Sequence, residues 1–252
     1  MNQYFKNLNK IEFVVTNACT GRCKHCSEGE HNACGESINA QIAVGAVRKI
    51  TSMYDIKTVM TFGGEPLLYP ETVYAIMSEA TNLKISNRQV ITNGYFSKDI
   101  DKIREVAISL YECGVNDLRL SVDAFHQETI PLEIVKRFAT EAKKCGLPVT
   151  LQPAWLVSRT DGNSYNKKTR EILDSFSNLK LPIGSGNVIF PEGNALKYLS
   201  DFFTESRVRN PYVEDEYDVR CISFSANGDV LGKNVYESDI FEIIRNYEPE
   251  LK

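Results

Sequence analysis

The sequence predicts an α/β protein assembled from repeated parallel β/α units. Short β-branched runs alternate with longer stretches of helical spacing through most of the chain, and two of the helices end at a Cys-Gly pair just before the next strand. Over about the last 50 residues this rhythm breaks down, so a C-terminal appendage is expected. The elements follow in order. "IEFVVT" (11–16) reads as the first strand, and a loop rich in Asn, Gly and Thr follows it. "ESINAQIAVGAVRKITSMYD" then sets Ile38, Ile42, Val44, Val47, Ile50 and Met53 mostly on one side, as a helix does. "KTVMTF" is the second strand and ends at Gly63-Gly64. "PETVYAIMSEATNL" is a helix with Pro70 near its start, where a missing N–H costs little.

"RQVITNG" is the third strand, and "KDIDKIREVAISLYECG" a helix closed by Gly114. "NDLRLSVD" is the fourth strand, "PLEIVKRFATEAKKCG" a helix closed by Gly146, and "LPVTLQPAWL" the fifth strand. "KKTREILDSFSNL" is a helix, and "PIGSGNVIFPEG" holds the sixth strand. Six such units form either an open sheet or an incomplete barrel. In the tail, "CISFSANGDVLGK" reads as a hairpin turning at Asn227-Gly228, and "SDIFEIIRN" as a last short helix. No low-complexity linker separates tail from core, so residues 201–252 are expected to pack on a first domain of residues 1–200.

The chain has 252 residues and a formal net charge of −4, with no dense Lys/Arg run. That argues against nucleic acid or an anionic membrane as the main partner. Neither a signal peptide nor a membrane-spanning apolar run is visible, so a cytoplasmic protein is expected. Thiols are kept reduced there, and seven cysteines is an odd number for a disulfide framework. Cys19, Cys23 and Cys26 stand at C-x3-C-x2-C spacing after the first strand. Thiolates suit zinc or an iron–sulfur cluster. His25, His31 or Cys34 could complete a four-ligand zinc site. A cubane held by three cysteines would instead leave one iron open for catalysis. Their place at the C-terminal end of a strand is where parallel β/α folds gather active sites.

The cysteine triplet, followed after the next strand by Gly63-Gly64-Glu65-Pro66, resembles the radical S-adenosylmethionine (radical SAM) superfamily over roughly residues 10–195. The resemblance implies an incomplete (β/α)6 TIM-like barrel with a hairpin-plus-helix extension, a [4Fe–4S] cluster held by Cys19, Cys23 and Cys26, and S-adenosylmethionine on the open iron. It also implies reductive cleavage to a 5′-deoxyadenosyl radical that abstracts a substrate hydrogen atom. An external one-electron donor, such as flavodoxin or ferredoxin, would then be needed. By the same resemblance, Gly63, Gly64 and Glu65 contact the methionine ammonium, Pro66 stiffens that turn, and His25 lies near adenine.

Other positions follow from pattern and resemblance together. Arg119, Ser121 and Asp123 share one face of their strand, and buried polar residues need partners. Ser121 and Asp123 are therefore candidates for ribose or methionine contacts. Asn93, at the end of the third strand, and Gln152, near the end of the fifth, could line the same mouth. Ile189 falls in the segment that flanks adenine in the family. His126 could act as acid or base, its ordinary pKa lying near neutrality. Cys221 opens a segment resembling the start of the cysteine-rich extension of peptide-modifying members. The later cysteines are absent, so it is expected as a hydrogen-atom donor rather than a cluster ligand. The favoured function is modification of a ribosomally made peptide. Chemistry on a small metabolite and activation of a glycyl-radical enzyme are alternatives within the class; a non-catalytic zinc or iron–sulfur redox sensor lies outside it.

Overall fold

Six strands run parallel in one sheet, in the order β5-β4-β3-β2-β1-β8. They are β1 (Lys10–Val14), β2 (Thr58–Phe62), β3 (Asn87–Thr92), β4 (Asp117–Ser121), β5 (Val149–Gln152) and β8 (Cys221–Phe224). The structure is a computed structural model that describes residues 2–203 and 209–249. Crossover helices α1 (Ala40–Met53), α2 (Pro70–Asn82), α3 (Ile100–Glu112) and α5 (Leu132–Lys144) connect β1 to β5 in turn. Side-chain alternation drives the packing. Ile11, Phe13, Val59, Val90, Leu118 and Leu120 are fully buried in the main core with the helices. Their strand neighbours on the other face, including Glu12, Gln89, Arg119 and Ser121, are half-buried. The α1 and α3 N-termini are capped by Asn39 and Asp99, whose side chains accept from the first backbone N–H groups.

The sheet curves on beyond β5. After Pro153, β6 (Ala154–Trp155) pairs in parallel with β7 (Asn187–Val188), and Leu151 bridges Ile183. The expected sixth strand is therefore present but short. Pro153 has no N–H to give, which breaks the ladder between β5 and β6. Among the described residues no pairing closes β7 onto β8, so the barrel is incomplete. The helix α6 (Ser164–Asp174) spans the gap from β6 towards β7; the short α4 (Ala124–Gln127) follows β4 and α7 (Gly193–Tyr198) follows β7.

The tail differs from expectation. Cys221–Phe224 is not one arm of a hairpin but β8, which lies parallel to β1 and extends the main sheet. Asn227-Gly228 makes a tight reversal, Gly228 N donating to Ser225 O at 3.0 Å. The hairpin itself follows, between β9 (Asp229–Val230) and β10 (Lys233–Asn234). Its two loop residues, Leu231 and Gly232, both have positive φ (50° and 71°), the geometry of a two-residue hairpin turn. The expected last helix is α8 (Ile240–Arg245), which buries Ile240, Ile243 and Ile244. Asn2 donates to the Ile244 and Tyr247 carbonyls at 2.9 and 2.7 Å, fastening the two ends of the described chain together. Residues 204–208 and 250–252 of the expected extension lie outside the described residues. No helix among the described residues is long and apolar enough to cross a membrane.

Phe224 stacks on Phe13 with ring centroids 4.8 Å apart, and both are fully buried. If β8 is integral to the core, Phe224→Ala will cost about 3–5 kcal/mol. Chemical denaturation should show this as a lowered midpoint of the whole transition.

Candidate active site

The residues after β1 form a long loop closed on itself. Thr16 bridges Ser37, and Ile38 N donates to Val15 O at 2.9 Å. The loop is held against the β2 exit by backbone contacts: Gly64 N to Thr16 O and Glu65 N to Ala18 O, both 2.8 Å. A Cβ at Gly64 would collide with the Ala18 carbonyl, and one at Gly63 (φ +142°) with that of Thr16. Only glycine allows this approach.

Cys19, Cys23 and Cys26 all line one cavity of about 130 Å³, together with Gly63, Gly64, Asn93, Ser121, His25 and His126. Thus most of the positions singled out from the sequence converge on one place at the C-terminal edge of the sheet. Asn93 turns its amide toward the loop, Nδ2 donating to Cys19 Sγ at 3.6 Å and to Thr20 Oγ1 at 3.2 Å. Cys26 Sγ lies 3.2 Å from His31 Nε2, while His31 Nδ1 is 2.7 Å from the Asn17 carbonyl. Burial pushes the Cys19 thiol up to about 11 and raises Cys23 and Cys26 as well. Such thiols become thiolates only when a metal compensates the charge.

The donor set distinguishes a cluster from a single ion. Tetrahedral zinc with ~2.3 Å bonds would draw its sulfurs to within about 4 Å of one another. Among the described residues, the one set of three ligand atoms mutually within 4.8 Å is His25, Asp123 and His126, not the cysteines. Cys34, the other thiol near the loop, is exposed and lies outside the cavity that the three cysteines line. Three soft donors with no fourth thiol beside them fit an iron–sulfur cluster with one open iron better than a four-thiolate zinc site. Gly63 and Gly64 leave room beside the cysteines for a ligand, and His25 Nδ1 is a buried atom with no hydrogen-bond partner among the described residues.

Other expected site residues are placed differently. Glu65 is fully buried and does not line the cavity. Its carboxylate accepts from Thr92 Oγ1 (2.6 Å), Leu67 N (3.0 Å) and Asn93 N (2.8 Å), bracing the β2 and β3 exits. Pro66 is buried at the start of the short turn that Glu65 caps. Asp123 is likewise fully buried. Its carboxylate accepts from Phe125 N, His126 N and Ala154 N, each at 3.0 Å, and faces His126 Nδ1 at 2.8 Å. Burial opposes that charge, but His126 and the hydrogen bonds outweigh it and hold the carboxyl well below its usual range. Asp123 thus reaches the cavity through His126 and offers no free face of its own. Burial, reinforced by His126 nearby, lowers His25 to about 4, so its ring is neutral at neutral pH. Gln152, level with Ser121 in the sheet, accepts from Arg119 Nη1 at 3.3 Å and is not among the residues lining the cavity. Ile189 is packed in a small apolar cluster with Phe125, Ala154, Leu156, Ala195 and Leu199, outside the cavity lining.

Cys221 requires a correction. It pairs in register with Lys10, at the N-terminal end of the parallel sheet, whereas the cysteine loop leaves β1 at Val14. Four residues of strand put it roughly 13 Å away along the sheet. A hydrogen-atom donor must reach the substrate radical, so Cys221 is withdrawn from that role. Sequence reasoning did not assign Phe62 and Ile91, which line the cavity as apolar strand-end residues. Their only sequence signal was position at strand exits.

A model of the radical SAM superfamily matches residues 13–155. The chain belongs to that superfamily. It is accordingly a radical SAM enzyme, with a [4Fe–4S] cluster and S-adenosylmethionine as cofactors. Among curated proteins, a probable GTP 3′,8-cyclase of Sulfolobus acidocaldarius is 26% identical over 201 residues, covering 74% of this chain and 61% of the relative. A GTP 3′,8-cyclase of Desulforamulus reducens is 27% identical over 131 residues, covering 51% and 38%. The chain therefore spans less than two thirds of these relatives. Streptococcus suis SuiB bound to S-adenosylmethionine superposes with a TM-score of 0.60 at 15% identity, covering 99% of this chain and 68% of that one. The anSMEcpe enzyme with bound AdoMet gives 0.58 at 14% identity, covering 94% and 80%. The fold is shared at these identities.

Burial pushes Glu65 from 4.5 up to about 7 against three hydrogen bonds that pull it down. A group raised on folding contributes stability that is present below pH 4.5 and lost as pH rises through about 7. Glu65→Gln turns a donor toward Asn93 N–H and should cost about 1–3 kcal/mol. Urea midpoints measured from pH 5 to 8 should show the gap between variant and wild type narrowing as pH rises.

Proposed function

We propose that Cys19, Cys23 and Cys26 hold the cluster, that S-adenosylmethionine lies beside Gly63, Gly64, His25, Asn93 and Ser121, and that the substrate is a ribosomally made peptide. When bound, cluster and S-adenosylmethionine supply a 5′-deoxyadenosyl radical able to abstract a hydrogen atom. The chain's own residues do the rest. Asn93 donates to the Cys19 sulfur. Asp123 accepts the hydrogen bond from His126 Nδ1–H, which leaves Nε2 as the acceptor for a proton in the cavity.

The observation that carries the peptide reading is the charge state of the concave face below the cavity. Register places Asp117, Arg119 and Ser121 on the same side as Gln89, Ile91 and Gln152, and Ser121 and Ile91 line the cavity. Arg119 is tied to Asp117 at 2.7 and 3.1 Å, and Gln89 also bonds Asp117. That cation already has its carboxylate. A polyphosphate needs uncommitted cations, whereas peptide amides and carbonyls suit a neutral, hydrogen-bonding wall. The anSMEcpe structure solved with a Cp18Cys peptide, at a TM-score of 0.58, is consistent with such an occupant in this fold. A nucleotide substrate is the second reading, favoured by the curated cyclases.

Anaerobic reconstitution with iron and sulfide, followed by dithionite and S-adenosylmethionine, should give 5′-deoxyadenosine. Replacing Cys19, Cys23 and Cys26 together by Ala should abolish it. A short peptide encoded beside this gene should raise the yield and change in mass, while GTP should do neither. Stimulation by GTP with its consumption would favour the nucleotide reading instead.

A further inference from the structure

Neither the cavity nor the motifs account for Asn194, which is 6% exposed and lies far along the chain from the cysteines. Its amide donates to the Cys23 carbonyl and to the Gly29 carbonyl, both at 3.1 Å, and its backbone N–H donates to the Cys26 carbonyl at 2.8 Å. Gly193 beside it has φ +51°, and a Cβ there would collide with the Ser27 and Cys26 carbonyls. At the rim, Lys197 pairs with Glu30 at 2.5 Å. From the other side, Ala195 and Leu199 are held in the apolar cluster with Phe125 and Ile189.

A tight loop carrying two thiols has no strand partner for its carbonyls, and buried carbonyls need donors. Asn194 supplies three N–H groups to that one turn. It fixes the peptide planes that follow Cys23, Cys26 and Gly29, and with them the backbone positions from which the Cys23 and Cys26 thiols project. Groups that orient the ligands of a metal centre help retain it and tune its electronic properties. We propose that Gly193-Asn194 is a clasp that positions the cluster by pinning the Cys23–Gly29 turn, and that Asn194 is a positioning residue for the radical chemistry. This rests on the assignment of the cluster to Cys19, Cys23 and Cys26.

The test compares anaerobically reconstituted wild type with Asn194→Ala and Lys197→Ala. Iron per chain, iron loss to a chelator and the EPR spectrum of the reduced cluster are read beside thermal midpoints of the apo-proteins. Asn194→Ala should lose iron about 10-fold faster or more and show an altered spectrum. Lys197→Ala, which breaks only an exposed pair, should behave as wild type. If Asn194→Ala does not fold, Asn194→Ser keeps one donor and should lose iron at an intermediate rate. Wild-type iron loss and an unchanged spectrum in the folded Asn194 variant would overturn the clasp while leaving the cluster assignment intact. A wild type that takes up no iron would overturn both.

Discussion

Everything at the active end of this protein depends on two strand exits meeting backbone to backbone. Gly64 and Glu65 donate to the Thr16 and Ala18 carbonyls where no side chain fits between them. This contact fixes where the cysteine loop leaves the sheet. Glu65 then carries the constraint sideways, since its buried carboxylate holds Thr92 and the Asn93 backbone. Asn93 in turn reaches back to Cys19. Three successive strand ends are thereby locked to one another before any cofactor is considered. Such preorganisation is what a site for radical chemistry requires, because the protein's task is to position the cofactor and exclude side reactions.

The polar groups near the site fall into two sets. Glu65 and Asp123 are fully buried and spend their oxygens on the protein itself. They are braces, and their cost of burial is offset by hydrogen bonds. Ser121, Asn93, His126 and the two glycines instead line the open space. His25 Nδ1, which has no hydrogen-bond partner among the described residues, belongs with this second set. Below them the paired charges of Arg119 and Asp117 make the wall polar without giving it a net charge.

The sequence displayed the parallel β/α order because alternation of apolar residues is a local signal, and β1 to β5 appear where it places them. The cysteine spacing and the double glycine were likewise local, and both reach the cavity. What stayed hidden was set by long-range pairing. Nothing in "CISF" says that it will join β1 in parallel rather than fold on its neighbour, and that choice moved Cys221 to the wrong end of the sheet for radical chemistry. The Asn227-Gly228 turn signal was sound chemistry, yet the hairpin formed one turn later, at Leu231-Gly232. Glu65 and Asp123 read as ligand contacts, because residue type and strand position cannot reveal that backbone N–H groups will claim all their oxygens. Asn194 gave no signal, since its partners are loop carbonyls distant in sequence.

In the proposed assignment the three cysteines hold a cluster with one iron open to S-adenosylmethionine. EPR of the reconstituted, dithionite-reduced protein, recorded with and without S-adenosylmethionine, reads that open iron. The reduced [4Fe–4S] signal should change shape when S-adenosylmethionine is added and be absent from the triple Ala variant. A cluster signal indifferent to S-adenosylmethionine, or one that survives loss of the three cysteines, would contradict the assignment.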